Sequence, residues 1–303
     1  MWREGMSWCG RFQLGPMLGS GSFGDVYLVK DNKQRTTLAC KTENEDDVLL
    51  AIERRVYHRI KNSEGFPSIH WFGIVLNKRV MIMDRLGRSL DDYFEDCGGQ
   101  FSIKTTLLFA HQALQRIRAL HTAGYIHRDI KPENFVMGRG EKQRVVYLID
   151  MGLCKKYEKD GIHIPYREGR SLTGTARYAS LWALRGCEQG RRDDLMSLGF
   201  VLMYFLRGHL PWQKLKEKKQ SIRYQLIAQL KHENITQGNL CAEYPKEFQD
   251  YFNYCINLNF CDTPDYDYLS SLFINMITRL GFSVTDTDFD WIDLDSFDNL
   301  EGI

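Results

Sequence analysis

Apolar residues recur along this chain at two spacings, and each predicts its own kind of element. Val26-Tyr27-Leu28-Val29, Leu38-Ala39-Cys40-Lys41 and the run from Arg79 to Met83 are short and β-rich, and predict strands. From Asp47 to Ile60 the apolar positions are Leu50, Ile52, Val56, Tyr57 and Ile60, one face of an amphipathic helix. Glu45, Asp46 and Asp47 stand before it, where negative charge favours a helix N-terminus. Ser89 followed by Asp92 reads as an N-cap with a capping box, Asp replacing the preferred Glu. A long helical pattern covers Thr105 to His121, with Gly124 as its stop signal. The uncharged, mostly apolar run Leu195 to Leu206 is too short to span a bilayer and predicts a buried core helix.

The predicted helix that ends near His121 delivers the chain to Tyr125-Ile-His-Arg-Asp-Ile-Lys-Pro-Glu-Asn134. A short apolar run, Val145 to Ile149, then ends in Asp150-Met151-Gly152. Phosphoryl transfer needs a base or orienter for the attacking hydroxyl and oxygen ligands for a Mg²⁺ that bridges nucleotide phosphates. Asp129 fits the first role, and Asn134 and Asp150 fit the second. A lone Asp-x-x-x-x-Asn would read more simply as an Asx-rich turn; the ten residues together with the second motif carry the chemical reading.

Upstream, Gly19, Gly21 and Gly24 form G-x-G-x-x-G, with Val26 two residues later. The same glycines mark dinucleotide-binding turns, which open a helix. Here a β-rich stretch follows, so the loop is expected to join two strands and fold over nucleotide phosphates. Glycine lets backbone amides approach phosphate without a Cβ in the way. A dinucleotide oxidoreductase would leave the later motifs unexplained.

Composition narrows the rest. At 303 residues, 43% of them hydrophobic, the chain can bury roughly three quarters of its unfolded surface as one large domain or two lobes. A net charge of +1 gives no global field for nucleic acid or an anionic membrane. The eight cysteines contain no C-x-x-C pair, which argues against a zinc site and a disulfide framework and for a reducing compartment. Met-Trp-Arg-Glu-Gly has no apolar core of a signal peptide, and Trp2 is incompatible with myristoylation. A soluble protein is expected, cytoplasmic and, as a second option, nuclear.

Together these motifs resemble the eukaryotic protein-kinase superfamily and, within it, casein kinase I. The resemblance rests on Ile164-Pro-Tyr-Arg-Glu168, Leu172-Thr-Gly-Thr-Ala-Arg-Tyr-Ala-Ser180, Glu188-Gln-Gly-Arg-Arg-Asp-Asp-Leu195 and Leu210-Pro-Trp-Gln213, and on the absence of A-P-E. It extends over roughly Phe12 to Trp291. Thr105 to Leu108 and Phe289-Asp290-Trp291 are similar to the neighbouring tau-tubulin kinase branch. The resemblance implies an α+β, bilobal fold: a mainly β N-lobe with one key helix over 12–86 and a larger helical C-lobe over 87–285. Residues 1–11 would be an N-terminal extension and 286–303 a short acidic tail. It further implies Ser/Thr phosphorylation from ATP with Mg²⁺, and competence without activation-loop phosphorylation.

Carried onto this sequence, the resemblance implies nucleotide contacts from Leu18, Gly19, Ser20, Gly21, Ser22, Phe23, Gly24, Val26 and Ala39. Met83, Asp84 and Leu86 would form a hinge at the base, and Lys41 would pair with the phosphates and with Glu53. The lesser alternative for Glu53 is an ordinary solvated helix residue. Lys131 would neutralise the transferring group, Thr175 would brace Asp129 and Lys131, and Asn134 and Asp150 would hold the metal. The expected substrates are proteins with an acidic or phosphorylated residue before the acceptor. A pocket of Arg177, Lys214 and Arg223 would read that anion, a guanidinium fork being suited to phosphate. Lys214 stands where the family has glycine, and the run Lys214, Lys216, Lys218, Lys219, Arg223 also fits a solvated helix face. Met151 replaces the Phe of D-F-G, and Trp182 replaces an Asn of the activation segment, which puts packing there in doubt. These departures support an alternative, a catalytically idle scaffold. From Asp286 onward seven acidic residues and no Lys or Arg fit a solvated tail. Alternatively, Ser296, three residues after Asp293, would be an autophosphorylation site that occupies the pocket. A monomer is expected, with no nucleic-acid partner and no membrane segment.

Overall fold

The computed structural model describes residues 2–21 and 24–292. The chain divides into two compact units, Met1–Gly87 with Val136–Cys154, and Arg88–Phe135 with Lys155–Ile303. The first is mainly β with one α-helix and the second is mainly helical, the α+β class that the sequence leads one to expect.

The first unit is built on a six-stranded antiparallel sheet in the order β1-β2-β3-β4-β6-β5. Its strands are β1 Ser7–Trp8, β2 Phe12–Gly21, β3 Gly24–Asp31, β4 Thr36–Asn44, β5 Ile69–Val75 and β6 Lys78–Asp84. Side chains alternate between faces along a strand, and directly paired residues share a face. Val29 pairs with Leu38 and Cys40 with Ile82, so these lie on one face. They join Trp8, Phe12 and Leu14 in a buried core on which Trp71 packs. Val26 pairs with Lys41 and Ala39 with Met83, which puts these four on the opposite face. The alternation thus separates a packing face from a face free to carry chemistry. Residues before Phe12 belong to this architecture, because β1 pairs with β2 and Trp8 is buried.

Helix α1 (Leu49–Ile60) begins two residues later than its apolar period predicts, and Glu45, Asp46 and Asp47 lie outside its first turn. A tertiary contact replaces the expected local charge effect. Glu43, on β4, accepts from the Leu50 amide at 3.0 Å and pairs with Arg79 Nε at 3.0 Å. Arg79 also donates to the carbonyl oxygens of Glu45 and Asp47, fixing the connection into the helix.

The second unit contains α2 (Leu90–Asp96), α3 (Ile103–Thr122), α4 (Leu181–Leu184), α5 (Arg191–Arg207), α6 (Gln220–Thr236), α7 (Lys246–Asn257) and α8 (Tyr266–Arg279). Ser89 and Asp92 form the predicted capping box of α2. The uncharged run is the centre of α5, buried throughout except at Tyr204, with α3 and α7 packed on it. Residues 286–292 are not the solvated start of a tail. Asp290 accepts from the amide and hydroxyl of Ser102, the N-cap of α3, at 2.6 Å each, and Lys104 meets Asp288 at 2.6 Å. Trp291, 2% exposed, stacks on Tyr93 with centroids 4.6 Å apart and lies against Phe101. Two aromatic side chains, Phe289 and Trp291, make burial outweigh the solvation of three aspartates. Residues 293–303, and with them Ser296, lie outside the described residues. No helix among the described residues is long and apolar enough to cross a membrane.

Candidate active site

The candidate residues fall into two clusters, one in each unit. In the first unit Lys41 projects from β4 on the face away from the Trp8 core. Its Nζ lies 2.7 Å from Glu53 Oε2 and 2.9 Å from Asp150 Oδ1. Glu53 comes from α1 and is 1% exposed, so it is a buried ion-pair partner rather than a solvated helix residue. Burial alone would lower the Lys41 pKa; the charges of Glu53 and then Asp150 outweigh it and hold the amine protonated. Asp150 has a left-handed backbone (φ 63°), a conformation Asp tolerates better than most residues. Met151, fully buried, follows it in a single 3₁₀ turn, and its amide donates to Glu53 Oε1 at 3.3 Å. The Cys154 thiol points at its sulfur at 3.4 Å. Met therefore fills this position with no break in packing, as a flexible thioether can.

The glycines of the loop differ in what holds them. Gly24 has φ +120°, and a Cβ there would lie 1.8 Å from the carbonyl oxygen of Thr42. Its glycine is required by the sheet itself. Cβ atoms on Gly19 or Gly21 would meet nothing within 4 Å, and neither backbone has a positive φ. Among the described residues nothing demands glycine at these two positions. Leu18 is 48% exposed, and Ser20 donates its hydroxyl to Asp25 at 2.8 Å. Ser22 and Phe23 lie outside the described residues. Ala39 and Met83 are buried as a cross-strand pair and Leu86 is half-buried. The Asp84 carboxylate is bonded to the Ser68 amide at 2.8 Å and to His70 at 2.6 Å, so its side chain anchors β6 to β5.

In the second unit Asp129 is buried and its carboxylate is oriented from several sides. Thr175 donates to Oδ1 at 2.8 Å, and Lys131 Nζ lies 3.5 Å from Oδ2. The Asn134 amide donates to the Asp129 carbonyl oxygen at 2.8 Å, which fixes which end of that side chain is nitrogen and leaves Oδ1 as an acceptor. Gly174 makes the Thr175 contact possible. With φ +100°, its Cβ would lie 2.2 Å from the carbonyl oxygen of Arg128. The loop backbone is held in turn by Asp194, on α5, which accepts from the His127 amide at 2.7 Å and the Arg128 amide at 2.8 Å. His121 Nε2 meets the same carboxylate at 2.9 Å. Burial works against charge on Asp194, yet these donors outweigh it and keep the carboxyl below its usual range. Residue-level reading gave Asp194 no role; the available signal was a pair of acids heading the uncharged run Leu195 to Leu206.

A cavity of about 170 Å³ in the same unit is lined by Arg177 and Arg223, together with Trp212, Gln213 and Leu215. Lys214 is exposed between two lining residues and is not one of them. Lys216, Lys218 and Lys219 are likewise exposed. Trp182, where packing was in doubt, sits in α4 behind the Ser180 N-cap, with the Arg192 guanidinium 3.7 Å from its ring centroid. Among the described residues no three His, Cys, Asp or Glu gather to hold a metal. The family model for the protein kinase domain matches residues 12–264.

Proposed function

The chain belongs to the protein kinase family, and on that premise we propose that it transfers the γ-phosphate of ATP to serine or threonine of protein substrates, favouring acceptors preceded by an acidic or phosphorylated residue. The observation that carries the reading is the Asp129 cluster: a buried carboxylate oriented by Thr175, with Lys131 and the Asn134 amide beside it. In the proposed reaction the substrate hydroxyl oxygen attacks the γ-phosphorus, the bond to the ADP oxygen breaks, and Asp129 accepts the hydroxyl proton. Thr175 holds one carboxylate oxygen, so the other is presented to the hydroxyl. Lys131 neutralises charge on the transferring group. A general base supplies only about 10²–10⁴ in rate. Most of the acceleration then comes from positioning and charge stabilisation, in which Lys41, fixed by Glu53, takes part.

Members of this family generally use ATP with Mg²⁺. Asp150 and Asn134 offer carboxylate and amide oxygens, the hard donors that Mg²⁺ prefers, and would hold it. The ion would supply charge neutralisation on the phosphates. Gly19 and Gly21, which no contact among the described residues requires to be glycine, suit a backbone that phosphates approach closely. The serine/threonine assignment rests on Lys131 two residues beyond Asp129, and the anion preference on the two guanidinium groups of one small cavity.

The test is phosphate transfer from Mg-ATP to two peptides that differ only by a phosphoserine three residues before the acceptor. Wild type is compared with Asp129→Asn and Arg177→Ala. Transfer that favours the phosphorylated peptide, disappears with Asp129→Asn and loses its preference with Arg177→Ala is expected. ATP binding without transfer would favour a scaffold, and transfer without preference would remove the anion pocket.

A further inference from the structure

We propose that Lys231 is the positioning residue of the anion pocket, pinning the turn that carries Arg177; this rests on the reading of Arg177 and Arg223 given above. Helix α6 buries one stripe, Ile227, Ala228, Lys231 and Ile235, at the spacing of an apolar helix face. A lysine stands in the middle of that stripe. It is 0% exposed and, among the described residues, pairs with no carboxylate. Burial drives its amine well below the usual lysine range. An aliphatic residue would serve packing at far less cost in desolvation.

What the amine gains is two carbonyl groups of one turn. Nζ donates to Ala179 O at 2.6 Å and to Ala176 O at 3.0 Å. Two N–H bonds are available to a lysine in either charge state, so both contacts persist with or without the third proton. The rings of Phe200 and Trp212 lie 4.4 and 4.9 Å from Nζ. Trp212 adds a third bond, its indole N–H donating to Arg177 O at 2.8 Å. The amides of Tyr178 and Ala179 close on Thr175 O at 3.0 and 2.9 Å. The carbonyls of Thr175, Ala176, Arg177 and Ala179 are therefore all committed inward, while the Arg177 side chain lies exposed at the cavity.

One helix thus supplies both a wall and a pin. Arg223 and Ile227 line the cavity, and Lys231 follows one turn later on the same stripe. The distance between the two guanidinium groups depends on how the turn sits on α6, and Lys231 sets that. Replacing it with methionine keeps a flexible side chain of similar length but leaves two carbonyls without their donor.

The experiment measures kcat and KM for the phosphorylated and unphosphorylated peptides in wild type, Lys231→Met, Lys231→Gln and Arg177→Ala, with thermal unfolding of each. For Lys231→Met the preference for the phosphorylated peptide, as a ratio of kcat/KM values, is expected to fall about tenfold, short of the roughly hundredfold that a 1 Å misplacement can cost. The loss should lie in KM for that peptide, and KM for ATP serves as the control. Lys231→Gln retains an N–H donor and is expected to recover part of the preference. A preference that Arg177→Ala abolishes but folded Lys231→Met keeps would overturn this inference alone. An equal fall in kcat for both peptides would also overturn it, because it marks a merely structural residue. Wild type without any preference would overturn the pocket reading and this inference with it. If Lys231→Met does not accumulate as folded protein, the ratio for Lys231→Gln decides: a reduced preference upholds the proposal and a wild-type one refutes it.

Discussion

Lys41→Met removes a cation shared by two carboxylates, and its cost should depend on pH in a way that reveals the burial of Glu53. The side chains of Lys41, Glu53 and Asp150 are 13%, 2% and 18% exposed, and Nζ lies within 2.9 Å of both acids. Methionine replaces most of the lysine stem, so little of the loss is steric. Removing one partner of a buried ion pair costs about 3–5 kcal/mol, because the remaining charge stays desolvated and unpaired. Here the remaining charge has a way out. Burial already raises the Glu53 pKa, and the charge of Asp150 acts in the same direction; Lys41 is the main group opposing them, with a smaller effect from the Met151 amide. Without Lys41 the Glu53 carboxyl should titrate well above its unfolded value.

A carboxyl whose folded pKa is raised destabilises the fold at high pH, and the penalty disappears as pH falls and the proton is taken up. Each pH unit across that uptake is worth about 1.4 kcal/mol. The raised Lys41 pKa of the wild type contributes stability throughout the range below the ordinary lysine pKa, so the lysine itself adds no slope to the reference between pH 5 and 8. The variant should lie about 3–5 kcal/mol below wild type at pH 8. The gap should narrow by about 1.4 kcal/mol per unit once Glu53 begins to protonate. Urea unfolding followed by tryptophan fluorescence at four pH values measures this difference, in which distant groups cancel. Adding Glu53→Gln to the variant should remove the slope. A gap that is flat with pH and under about 1 kcal/mol, the range of exposed pairs, would refute the buried-charge argument.

Thr175→Ala should lower kcat about tenfold by releasing Asp129 Oδ1, less than the 10²–10⁴ available to a general base because the carboxylate itself remains, and Thr175→Ser should restore it in steady-state kinetics. Gly21→Ala should leave the melting temperature unchanged and weaken ATP binding. Gly24→Ala should lower stability by about 1–3 kcal/mol, because its Cβ would overlap Thr42 O. Trp291→Ala should cost about 3–5 kcal/mol by thermal or chemical unfolding, the price of an aromatic truncated inside a packed cluster.

Much of this protein follows from residues close together in the chain. The Ser89 capping box forms because both partners lie within one helical turn. Val26, Ala39, Lys41 and Met83 share a face because strand alternation and the observed pairing register leave no other arrangement. Asp129 to Asn134 is likewise one short loop, legible as a motif before any fold is known. Where local chemistry and distant packing compete, the sequence pattern misleads. The acids before α1 predict its start, yet Glu43 from a neighbouring strand satisfies the Leu50 amide instead. The aspartates from Asp286 suggest solvated chain, yet Phe289 and Trp291 bury more apolar surface than the charges cost, with Ser102 and Lys104 as polar partners. Lys231 looks like one more charge on a polar helix, and only the turn it faces, some fifty residues away, explains its burial. The reason is general: caps and alternation depend on neighbours within a few residues, whereas the partner of a buried charge is chosen by the whole fold. By itself the sequence determined the motifs, the strands and the helix that carries Glu53; the tertiary structure alone decided the strand register, which charges are buried and which groups hold them there.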